Sequence, residues 1–203
     1  FILATLPLYL IRFHIGPIPL TLLEPMLLAT VLVWLLKKGY KNINQQFVVP
    51  ILILFFAATI GIFVAPDTVA ALGIWKSYFV EPTLFFFVLS SVLNNRKDVY
   101  WAITSLSIGA LFVALFALFQ KITGIGIPEP WDLTRRATSI FQYPNAVGLY
   151  LAPIIGLGVV TFWKQIKTVR PIRSVFWILF ITTAALAVIF SQTEAVWVAI
   201  PAS

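Results

Sequence analysis

Six apolar runs of bilayer-spanning length alternate with short polar breaks along this chain: Pro17 to Leu36, Phe47 to Ala65, Ala70 to Leu93, Val99 to Phe119, Pro144 to Trp163 and Ser174 to Phe190. A helix needs roughly 20 apolar residues to cross about 30 Å of hydrocarbon, and each run is near that length. The runs are continuous, not the ten-residue alternations of a barrel strand, and backbone groups in lipid must be satisfied within the segment, so helices are predicted. Two more apolar stretches flank them. Phe1 to Ile11 is too short to cross alone and reads as a partial first span; it lacks the basic start and small-residue cleavage site of a signal peptide. A renewed run from Ala195 reads as the start of a further helix. The expectation is an all-α, polytopic transmembrane helical bundle of about seven spans plus the start of an eighth, forming a single domain over 1–203 that is truncated at both ends.

Composition sharpens this. The chain is 61% hydrophobic and 10% charged, with a mean hydropathy of +0.99, whereas an ordinary soluble domain carries roughly a quarter charged residues. A net charge of +7 would suggest nucleic acid as partner of a soluble protein. Here the basic residues cluster between apolar runs, as membrane topology requires, which argues against nucleic acid. Without cysteine, and with one histidine and seven scattered carboxylates, the chain offers no thiol nucleophile and argues against a metal centre or other cofactor. The breaks after the second, fourth and sixth spans carry Lys37, Lys38, Lys41; Arg96, Lys97; and Lys164, Lys167, Arg170, Arg173. The alternate breaks carry only Arg12, Lys121, Arg135 and Arg136. The first set is therefore expected in the cytoplasm and the second outside.

The long polar interlude from Lys121 to Asn145 holds the adjacent arginines Arg135 and Arg136 against this bias. Ser139, Gln142 and Asn145 add hydrogen-bonding groups, and Glu129 and Asp132 are in reach to position the guanidinium pair. Two readings stand: an anchor for lipid headgroups, or a site for an anionic, phosphate-bearing, lipid-linked substrate. Within the spans, Lys76, Glu81 and Glu24 are charges at membrane depth and need partners. Five residues turn a helix about 140° past a full turn, so Lys76 and Glu81 are expected to face apart, leaving a Glu24–Lys76 pair or a substrate-binding Lys76. Both glutamates precede proline, a faint echo of the repeats found in transporters. His14 reads as a loop or capping residue, Glu194 as a first-turn helix cap, and Trp75, Trp101, Trp131, Trp163, Trp177 and Trp197 as mostly an interfacial belt.

The stretch Arg136-Ala137-Thr138-Ser139-Ile140-Phe141-Gln142-Tyr143-Pro144-Asn145 resembles the Arg-x-x-Gly-x-Phe-x-x-Pro-Asn pattern of the O-antigen ligase and polymerase family. Ser191-Gln192-Thr193 is similar to the Ser-x-Ser-Arg turn that opens a later helix in that family. Ser139 stands where the pattern has glycine, and Glu194 where it often has arginine. The resemblance implies a metal-independent glycosyltransferase at the outer face of the bacterial inner membrane. Its donor would be a glycan on undecaprenyl diphosphate and its acceptor a glycan or lipid hydroxyl. It implies Arg136 as a diphosphate ligand, to which adjacency adds Arg135, with Asn145 beside them. It also places the general base in a large outer loop beyond residues 1–203, so that these residues alone would be inactive. A transporter or flippase using Lys76, Glu24 and Glu81 is the competing expectation, and a non-catalytic scaffold a third.

Overall fold

The computed structural model describes residues 1–15, 18–166 and 171–193. The described chain is mostly helical and falls into two compact units.

The first in sequence comprises Ile2 and residues 8–99. It begins with an antiparallel hairpin, β1 (Arg12–Ile15) and β2 (Ile18–Thr21), in a register that sets Phe13 opposite Leu20. Then follow α1 (Leu23–Leu36), 3-10 turns at Gly39–Asn42 and Gln45–Phe47, and α2 (Val48–Val64). Asp67 caps the next helix by accepting the Ala70 N–H at 3.0 Å, the usual role of a short carboxylate before the first turn. That helix runs without a break from Thr68 to Val92 and has three parts: α3 (Thr68–Trp75), a π-helical turn (Lys76–Val80) and α4 (Glu81–Val92). Leu27, Val31 and Trp34 of α1 bury against Val88 of α4, with Leu84 and Phe85 packed alongside. The Trp34 indole N–H donates to Ser91 Oγ at 2.6 Å, which satisfies the one polar atom that this packing removes from solvent.

The second unit comprises Phe1, residues 3–7 and the chain from Tyr100 onward. It holds most of α5 (Arg96–Thr123), with α6 (Asn145–Ile166) and α7 (Pro171–Ser191). Ala110, Ala114 and Ala117 of α5 are fully buried at helical spacing. Small residues let helix backbones approach closely, which is how helices pack where lipid removes the hydrophobic drive. Gly109 is the extreme case: a Cβ there would lie 2.4 Å from Ala4 O, so the Ala4 backbone packs on α5 only because the position is glycine. Leu151 and Ile155 of α6 and Trp177, Phe180 and Ala184 of α7 complete this core.

Among the described residues five helices are long and apolar enough to cross a membrane: Gln45–Val64, Thr68–Val92, Arg96–Thr123, Asn145–Gln165 and Ile172–Ser191. The protein is a multi-pass membrane protein of helical class, but the expected count of seven spans plus an eighth is corrected at its start. Phe1 to Ile11 forms 3-10 turns, and the run expected from Pro17 to Leu36 yields a hairpin strand and a 14-residue helix, about 21 Å long. Pro7 and Pro19 explain much of this, since each removes an N–H that a continuous helix would require. The hairpin is closed below by Leu22 N–H to Ile11 O at 2.9 Å. The start of an eighth helix, with Glu194 and Trp197, lies outside the described residues.

Candidate functional site

The loop between α5 and α6 is organised by a residue on neither of its arginines. Helix α5 stops where Gly124, at φ 76°, takes a left-handed conformation and its N–H closes on Gln120 O at 2.7 Å. The Gln120 side chain, fully buried, then ties down the loop's far limb. Its oxygen accepts the N–H groups of Thr138 at 3.0 Å and Ser139 at 2.6 Å. Its amide donates to Gly126 O at 2.7 Å and Ser139 O at 3.0 Å. Ser139 sits at φ 53°, a region that costs an L-residue roughly 1–2 kcal/mol. Its buried hydroxyl compensates by donating to Val113 O at 2.6 Å.

This anchoring carries Arg136 to the end of α7. The guanidinium donates from Nε to Ser191 O at 3.1 Å, and from Nη2 to Ser191 O at 3.0 Å and Gln192 O at 3.1 Å. Nη2 also reaches Asn145 Oδ1 at 3.4 Å, and the indole of Trp131 lies 5.0 Å from Cζ. The last carbonyls of a helix have no intrahelical partner and form the negative end of its dipole, so a guanidinium is well matched to them. Ala137 N–H to Phe190 O at 3.1 Å extends the same seam. Beyond it, the Ser191 and Thr193 hydroxyls share a 2.8 Å hydrogen bond, and Thr193 Oγ1 donates to Pro144 O at 3.4 Å. Arg136 therefore joins three segments, the loop, the start of α6 and the end of α7. Its Nη1 has no hydrogen-bond partner among the described residues.

Arg135 is exposed and left-handed at φ 49°. Its guanidinium lies over Gly124, with Cζ 3.7 Å from where a Cβ on that glycine would project. Its carbonyl accepts the Lys121 ammonium at 3.1 Å, so three cationic side chains gather on this end of the helices. Among the described residues neither arginine forms a salt bridge. Positioning by Glu129 or Asp132 is thus corrected: backbone carbonyls and an indole face hold Arg136 instead.

The structure brings Arg136 and Asn145 together with Arg135 adjacent, while Lys76 belongs to the other unit. There the Lys76 ammonium meets Glu24 Oε2 at 2.5 Å and Glu81 Oε1 at 3.7 Å. The Glu24 pair matches the expectation; the Glu81 contact overturns the 140° argument. In the π turn the Glu81 N–H bonds to Lys76 O, an i→i+5 bond that sets the fifth residue directly over the first and puts both side chains on one face. Glu24 is buried, and its other oxygen accepts the Thr21 N–H at 2.9 Å. His14 is exposed in β1. Trp177 is no belt residue: it is fully buried in α7, with its ring 6.4 Å from Tyr100 and 6.2 Å from Phe180. Sequence reasoning missed Gln120, whose only signal was an amide directly after the apolar run that ends at Phe119. No protein-family model matches the chain, and searches of curated proteins and of solved structures also returned no match.

Proposed function

We propose that this chain is the N-terminal helical part of a membrane glycosyltransferase of the O-antigen ligase and polymerase type. It would work at the outer face of the bacterial inner membrane and transfer a glycan from undecaprenyl diphosphate to an acceptor hydroxyl. The observation that carries the reading is local to the ten-residue motif. Its glycine position is occupied by Ser139 in the left-handed backbone that glycine favours, and its terminal Arg136 and Asn145 meet at 3.4 Å. A sequence pattern that demands one backbone conformation is supported when a departing residue still adopts it. In this reading Arg136 Nη1, the exposed Arg135 guanidinium and the Lys121 ammonium face the diphosphate and stabilise it as the leaving group gains charge. The base that activates the acceptor belongs to sequence outside 1–203.

The test is glycosyl transfer from a lipid-linked glycan by the complete protein reconstituted in lipid. Arg135→Lys keeps the charge and loses the planar fork, and should lower the transfer rate at least about tenfold with folded yield unchanged. Arg136→Lys should lower it about a hundredfold, as for removal of a preorganised donor. Full activity of Arg136→Ala would sink the proposal. A transporter or flippase is the second reading, favoured by the Lys76 ammonium held between two carboxylates at a π turn inside a span. Movement of a lipid-linked glycan across vesicles, without transfer, would select it.

A further inference from the structure

The end of α1 that carries Lys37 opens beside a cleft of about 380 Å³. Val33 and Trp34 of α1 and Val88 and Val92 of α4 supply apolar wall, Thr30 and Ser91 lie among them, and exposed Lys37, Asn42 and Asn94 stand at the rim. The wall is fixed. A Cβ on Gly39 would fall 2.2 Å from the Trp34 ring, so the backbone closes directly on the indole. Trp34 and Ser91 spend their polar donors on each other and on Val88 O, and Thr30 donates its hydroxyl to Met26 O, which leaves the polar groups of the cleft at its rim, on Lys37, Asn42 and Asn94.

The charge beside the cleft is one-sided. Lys37, Lys38 and Lys41 fall within one short turn, and no acidic residue occurs between Glu24 and Asp67. Among the described residues none of the three lysines forms a salt bridge. A free anion would use the lysines and waste the apolar walls, whereas a zwitterionic lipid would use the walls and gain little from the lysines. A phosphate-bearing lipid with net negative charge uses both. We propose that this cleft is a binding site for an anionic phospholipid, with an acyl chain against Val33, Trp34 and Val88 and the headgroup phosphate at Lys37. The site lies wholly within residues 8–99 and stands independently of the glycosyl-transfer reading.

Trp34 is a built-in reporter. The protein is reconstituted in nanodiscs of phosphatidylcholine doped with brominated phosphatidylglycerol or with brominated phosphatidylcholine, and the Trp34 signal is taken as the difference from Trp34→Phe. Each lysine near an anionic headgroup favours binding about fivefold, so the anionic probe should quench at concentrations at least about tenfold lower than the zwitterionic one. Lys37→Gln combined with Lys38→Gln and Lys41→Gln should abolish that preference. Val33→Phe, which narrows the cleft, should weaken quenching by both probes. Should Trp34→Phe misfold, native mass spectrometry of the wild type and the lysine variant reads the same preference as retained phosphatidylglycerol. Equal quenching by the two probes, an unchanged preference in the lysine variant, or displacement of the lipid by soluble glycerol phosphate would overturn the proposal.

Discussion

Gln120→Leu is the substitution that the loop tolerates least. Leucine matches glutamine in size, so the change removes hydrogen bonds without opening a large void. It strands the N–H groups of Thr138 and Ser139 and the carbonyls of Gly126 and Ser139, all of which use the fully buried amide. An unsatisfied buried backbone group costs about 1–3 kcal/mol; Gly126 is exposed and its carbonyl can turn to water, so the three groups on buried Thr138 and Ser139 cost at least about 3 kcal/mol if the loop stays in place. The loop can avoid that cost by lifting into water. At tenfold per 1.4 kcal/mol, its open population rises at least about a hundredfold. Limited trypsin digestion in nanodiscs reads this opening as cleavage after Arg135 and Arg136, normalised to cleavage after Lys41. Gln142→Leu is the control, because Gln142 is exposed and the Gln120 network does not include it. Gln120→Leu cleaving within twofold of wild type would refute the idea that this side chain holds the loop.

Ser139→Gly exchanges about 1–2 kcal/mol of left-handed strain for the loss of a hydroxyl bond of similar size, so its thermal midpoint in detergent should stay near wild type. Ser139→Val keeps the strain, adds a branched Cβ and loses the hydroxyl, and should unfold well below it. Lys76→Met leaves buried Glu24 without its ammonium partner and should cut the yield of monodisperse protein on size-exclusion chromatography, whereas Lys97→Met, at an exposed position, should not. Equal yields would mean that the triad contributes nothing to folding. Orientation is read with cysteines at Leu133, which is 85% exposed, and at Asn42. An impermeant reagent on intact cells should label the first and spare the second.

The membrane class and most spans were legible because an apolar run of about 20 residues permits few backbone solutions in lipid. The first two dozen residues were not, since hydropathy counts Pro7 and Pro19 as neutral although each removes a helix donor. The Lys76–Glu81 contact was hidden for a related reason: angular arithmetic assumes an α-helix throughout, and one π turn changes the phase. At the candidate site Arg136 and Asn145 stood out by charge and motif. Gln120 did not, because its importance lies in four backbone partners that sequence cannot display. Nor does the sequence say that Arg136 faces a helix end, since carbonyl ligands leave no mark on residue identity.

The grip on Arg136 has a mechanical side. The chain passes through Gln192 and Thr193 as it leaves α7, and those residues belong to the knot that grips Arg136. A load applied at Thr193 is therefore shared between the end of α7 and the guanidinium. The arginine thus works as a coupling pin between the loop, the start of α6 and the end of α7.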